Sequence, residues 1–222
     1  FAGNQLHSLV DTAMVGRLGA TQLAGVALGN ALFFAVAVCG IGAVQGMDPL
    51  VSQAIGAGEG ARARAVLRAG LRLAFGAGLV LAAVAGLVPL LLPSFGVAPD
   101  TAQQALRFGL GRMPALVPLL GIIAVRSYLQ SRDCSRPIIV SMIVSNLVNF
   151  VGNAVLVFGD GALDWVGLPG IGLPALGVLG SGIASSIATF VQLWIMWRGL
   201  SVLRPAAGEG DTTIGAQDVL RV

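Results

Sequence analysis

The chain has 222 residues, 56% of them hydrophobic and 10% charged, with a mean hydropathy of +0.88. A water-soluble domain carries about a quarter of its residues charged, so this balance excludes a soluble enzyme and points to a chain solvated by lipid. The net charge of +3 rests on 13 basic residues, all Arg and most of them between apolar runs, which argues against a nucleic-acid partner; Cys39 and Cys134 alone supply neither a disulfide framework nor a metal-ligand spacing.

About 20 apolar residues cross a hydrocarbon core, which leaves room here for about five to seven spans. The apolar runs are far longer than the roughly 10-residue alternating strands of a membrane barrel, so the expected class is an all-α transmembrane helix bundle. Six spans are read, near 1 to 16, 22 to 47, 70 to 95, 105 to 130, 137 to 159 and 174 to 199. The chain opens at Phe1 inside an apolar segment, with no basic region and no cleavage site ahead of it. The first span is therefore expected to be truncated.

Short turn-like connectors, "GRLGATQ" and "PSFGVAPD", follow spans one and three, whereas "GAGEGARARAVLRAG" and "SRDCSRP" after spans two and four cluster Arg. Sorting by side puts Arg62, Arg64, Arg68, Arg72, Arg126, Arg132, Arg136, Arg198, Arg204 and Arg221 on one face, and Arg17, Arg107 and Arg112 on the other. By the positive-inside rule the Arg-rich face is cytoplasmic, and Cys134 lies in a reducing compartment. Residues 1–204 are expected to form one six-helix lobe, and 205–222 a cytoplasmic linker. Gly, Ala and Ser at near-helical intervals in spans two and six permit close helix packing, while Pro114 and Pro118, one turn apart, should bend span four.

Ionisable groups inside a span cost about 2.5 to 3.5 kcal/mol on insertion scales, which makes a retained one a candidate functional group. Asp11, in "HSLVDTAMVG", is the clearest, with His7 one helical turn before it on the same face. Spacing alone leaves two readings of Asp11: a buried carboxyl that exchanges a cation, or a solvated group at the outer interface. His7 fits a satisfied structural role or exposure better than a proton relay, and is kept as a candidate beside Asp11. In span five, Asn146, Asn149 and Asn153 at i, i+3 and i+7 fall within about 60° of arc and form one polar stripe. Lipid cannot satisfy three carboxamides, so the stripe should line a cavity or bond between helices. Ser181, Ser185 and Ser186 in span six offer hydroxyls to the same interior, although serine also bonds its own helix. Asp48 and Gln53 are explained by helix termination and solvation.

Four stretches, "VDTAMVGRLGATQLAGVALGN", "SQAIGAGE", "RSYLQ" and "SNLVNFVGNAVLVFG", occur in this order and spacing. Together they resemble the multidrug and toxic compound extrusion (MATE) family, NorM-like branch, over nearly the whole chain. The resemblance implies a twelve-helix antiporter of two six-helix lobes, of which this chain is most of the first. Such a protein exports cationic drugs in exchange for protons or sodium ions, is no enzyme, needs no cofactor and sits in the plasma (inner) membrane. It implies further that Asp11 is the cation-coupling aspartate and Asn149 part of its polar network. Asn153 stands where one branch of the family has an aspartate, so a site with two carboxylates is absent, and proton or sodium at Asp11 both stay open. Ser186 falls close to a sixth-span hydroxyl position, and "DVLRV" resembles the approach to a seventh span.

The expected mechanism has Asp11 facing Asn149 and Asn153 while drug occupies a cleft between this lobe and a second one. A flippase for lipid-linked oligosaccharides, from the same superfamily, would need a cationic central cavity, whereas the arginines here are expected at loops and ends. An intramembrane serine protease needs a nucleophilic serine with a histidine in reach; "LGSGIAS" lacks that motif's spacing and His7 is the only histidine.

Overall fold

The computed structural model describes residues 2–164 and 172–202. The expected linker, 205–222, lies outside the described residues. Those described are helical with short connectors: α1 (Ala2–Val15), α2 (Ala20–Gln45), α3 (Asp48–Gly56), α4 (Gly60–Leu87), α5 (Pro99–Arg112), α6 (Leu116–Ser131), α7 (Arg136–Phe158), α8 (Asp160–Asp164) and α9 (Gly177–Val202). Five stretches, Ala20–Gly56, Gly60–Phe95, Pro99–Ser131, Arg136–Phe158 and Gly177–Ser201, are long and apolar enough to cross a bilayer. The 14 residues of α1 span about 21 Å at 1.5 Å per residue, short of the roughly 30 Å core.

Two boundaries differ from the sequence reading. The Arg-rich segment expected as a connector is the first part of α4, which begins at Gly60 and carries Arg62, Arg64, Arg68 and Arg72. Alanine, leucine and arginine are all strong helix formers, so charge alone was a poor marker of a loop. Its buried face, Ala63, Leu67, Gly70 and Ala74, packs on α6, while exposed Arg62 pairs with Glu59 at 2.9 Å. The fourth span likewise starts earlier, at Pro99, a residue suited to a helix's first turn because it lacks only an N–H that has no partner there.

The prolines, expected to bend this span, fall where the hydrogen-bond ladder changes and just after it. Between α5 and α6, Met113–Ala115 winds as a 3-10 turn where Pro114 cannot donate. The Ser186 hydroxyl, from α9, donates to the carbonyl of Gly111 beside that break at 2.6 Å. α5 and α9 meet there backbone to backbone: a Cβ on Gly111 would come 2.7 Å from the Leu179 carbonyl oxygen, and one on Gly182 3.0 Å from the Arg112 nitrogen. Glycine is required at this crossing because any side chain would wedge the helices apart.

The largest apolar core joins α2, α3, α4 and α6 around Leu67, Leu116, Leu120 and Tyr128. α1, α7 and α9 pack together beside it, with α2 and α5 between the two groups. The outward faces of α4 and α7 expose Leu79, Val80, Ile143 and Leu147. In water such faces would cost stability, whereas hydrocarbon solvates them.

Candidate functional site

α1 turns His7, Asp11 and Val15, spaced by four, to one buried face, and α7 does the same with Ser145, Asn149 and Asn153. A spacing of four advances only about 40° per step, so each set stays on the side that meets the other helix. Asp11 is fully buried. Its Oδ1 accepts from Asn153 Nδ2 at 2.8 Å and from Asn149 Nδ2 at 3.2 Å; its Oδ2 accepts from Ser185 Oγ at 2.7 Å and from Arg112 Nη1 at 2.9 Å. Asn149 also donates to Ser185 at 2.9 Å, and Asn153 to the Asn149 carbonyl at 3.0 Å. Four side chains from α5, α7 and α9 thus hold one carboxylate through both oxygens.

The carboxamide oxygens of Asn149 and Asn153 are buried and have no hydrogen-bond partner. The carboxylate, the hydroxyl and the two carboxamides all carry oxygen, the ligand type that a hard cation takes, although both amides turn their nitrogens to Asp11 here. His7 is buried one turn from Asp11; its ring donates to the carbonyl of Ser145, and its Nε2 has no partner. The ring is buried but only partly satisfied.

Three further residues are placed as follows. Asn146, read as lining a cavity, is half-buried at the edge of the α7 stripe, and its amide donates to the Met142 carbonyl of its own helix at 2.7 Å. Ser186 is occupied with Gly111, and Ser185 is the span-six hydroxyl that reaches Asp11. Arg112, expected on an outer loop, is a correction of larger consequence: it is buried against Asp11 in the bundle. The cue was present, since starting the helix at Pro99 puts Arg112 more than three turns deep. The premise that all arginines lie at loops and ends therefore fails, but the buried one is already neutralised by a carboxylate and makes no cationic cradle for a pyrophosphate.

The family model described as MatE matches residues 1–155. A protein of Synechococcus sp. described as "Probable multidrug resistance protein NorM" is 31% identical over 191 residues, 86% of this chain and 38% of the relative. One of the same description from Deinococcus radiodurans is 32% identical over 201 residues, covering 89% of this chain and 41% of the relative. The chain thus spans less than half the length of these relatives. Among solved structures, MATE in a bent conformation superposes with a TM-score of 0.78 at 19% identity, over 99% of this chain and 48% of that one. An inward-facing multidrug resistance MATE family transporter superposes with a TM-score of 0.74 at 18% identity, over 98% of this chain and 48% of that one. At such identities the superpositions speak for the fold.

Proposed function

This chain belongs to the MatE family, and on that premise we propose that it forms one lobe of a secondary active exporter of cationic drugs, driven by inward movement of protons or sodium ions. The observation that carries the proposal is the fully buried Asp11 carboxylate held by Asn149, Asn153 and Ser185. A carboxylate buried in a low-dielectric bundle is costly even beside the Arg112 guanidinium, because desolvation weighs against the pairing, and retaining one is accounted for if it captures and releases a cation. A proton would settle on the carboxylate itself. A sodium ion would use the same carboxylate with the free oxygens of Asn149 and Asn153.

Binding of either ion at Asp11 competes with the contacts from α5, α7 and α9 that converge on the carboxylate. The ion thereby favours one arrangement of the helices over another, which it can do only by as much as its affinities for the two differ. Drug would occupy a cleft between this lobe and a second one, and leave outward when the ion enters. The same proposal places the Arg-rich start of α4 and the loop with Arg132 and Arg136 before α7 in the cytoplasm, and the protein in the plasma (inner) membrane.

The test is accumulation of a fluorescent organic cation in cells expressing the full-length protein, with and without an ionophore that collapses the proton or the sodium gradient. Accumulation should stay low while the gradient stands and rise when it is removed. Equal accumulation in both conditions would identify a membrane protein that exports nothing.

A further inference from the structure

The groups around Asp11 include one that a cation site does not need. Arg112 is buried, and its positive charge already occupies Oδ2 of the carboxylate. The guanidinium also lies over three aromatic rings, 4.7 Å from the centroid of Phe33, 5.6 Å from Phe108 and 5.9 Å from Phe34. A planar, weakly hydrated guanidinium is well suited to such stacking, so it has favourable contacts that survive without the carboxylate. One turn before Phe33 and Phe34 on α2, the buried Asn30 side chain has neither its carboxamide oxygen nor its nitrogen bonded, and Arg112 Nε is likewise without a partner. A long side chain thus lies between an occupied acceptor and an aromatic wall with an idle acceptor on the same helix.

Few other charges face this group. Among the described residues, His7 from α1 is the other titratable side chain beside the pair. α2 carries no charged residue, α7 and α9 carry only Arg136 and Arg198, each more than three turns from the site, and Arg107 of α5 is exposed. Whether a cation can enter is therefore decided locally, between Asp11 and Arg112.

Resting on the reading that Asp11 takes the coupling ion, we propose that Arg112 is a tethered cation that occupies Asp11 in the ion's absence, and that proton or sodium binds by displacing it from Oδ2 while the guanidinium stays on the Phe33, Phe34 and Phe108 wall that it already lies over. The arginine acts on the ion through Asp11 and is a positioning residue. It sets the affinity for the ion: if the carboxylate is free only a fraction of the time, the half-saturating ion concentration rises by the inverse of that fraction. The exchange also keeps a positive charge beside Asp11 in each state, so the buried carboxylate is never left uncompensated.

The test uses the full-length protein in liposomes, with drug transport titrated against pH in sodium-free buffer and against sodium chloride at fixed pH. Arg112→Gln should lower the half-saturating concentration of the coupling cation by about tenfold or more, and Arg112→Lys by a smaller factor of about threefold. A merely structural arginine would reduce transport without moving the midpoint in that direction. If Arg112→Gln does not fold, Arg112→Lys decides alone, and an unchanged or raised half-saturating concentration overturns the proposal. Asp11→Asn is run beside them. Ion-dependent transport that persists in Asp11→Asn would refute the underlying reading of Asp11, whereas its loss with unmoved Arg112 midpoints would refute the tethered cation alone.

Discussion

The Asp11 and Arg112 charges are buried together, and each makes the other tolerable. Removing one partner of such a pair leaves an uncompensated charge and typically costs about 3 to 5 kcal/mol, whereas removing both can be nearly neutral. Asp11→Asn and Arg112→Gln should each lower the melting temperature in detergent, and the double variant Asp11→Asn/Arg112→Gln should recover most of the loss; additive losses would mean that the two do not act as a pair. The two serines separate in the same manner. Ser185→Ala removes a hydrogen bond to a charged group, worth about 1.5 to 3 kcal/mol, and should also shift the ion dependence of transport. Ser186→Ala should cost about 1 kcal/mol by freeing the Gly111 carbonyl, and leave the ion dependence alone. Asp11, Asn149 and Asn153 were legible in the sequence because polar groups in an apolar run announce themselves and helical spacing gives their phase. Ser185 and Ser186 were not separable, since adjacent residues point about 100° apart and nothing in the chain says which direction faces α1. Arg112 lies within the fourth span as read, near 105 to 130, yet falls to the outer face with Arg17 and Arg107 because sorting arginines by side takes no account of depth.

At the scale of elements, the site depends on how closely α5 and α9 approach. Arg112 and Ser185 reach the same carboxylate oxygen because Gly111 and Gly182 let the two backbones touch. Gly182→Leu would place its side chain against the Phe108 carbonyl and the Arg112 backbone. Overpacking of this kind costs about 1 to 3 kcal/mol, so the variant should melt lower and lose ion-dependent transport; wild-type behaviour in both would show that the close crossing is dispensable. The small residues of these spans were readable as a packing signal, but the partner of each glycine was not, because pairing of helices is decided in three dimensions. The helical run of α4 was misjudged for the opposite reason: its arginines suggested solvent, while its alanines and leucines were forming a helix that emerges from the apolar layer.

Across the whole molecule, the described residues form a bundle whose outer faces are apolar and whose charged ends alternate along the chain, a pattern that hydropathy and arginine placement expressed well. The proposed orientation makes a direct prediction. In a Cys39→Ala, Cys134→Ala background, Gln103→Cys at the exposed start of α5 should react with a membrane-impermeant maleimide in intact cells, and Arg62→Cys should react only after permeabilisation. The reverse labelling would invert the topology. The relatives are more than twice as long as this chain, which accords with the proposed placing of drug in a cleft shared with a second lobe.

The most direct measurement of the central claim, that the Asp11 carboxylate couples ion entry to drug exit, is drug efflux by Asp11→Asn/Arg112→Gln in liposomes under an imposed proton or sodium gradient. This variant removes the carboxylate without stranding the buried arginine charge. The expected result is a folded protein that still binds drug but whose efflux no longer responds to either gradient; efflux accelerated by a gradient as in the wild type would contradict the claim.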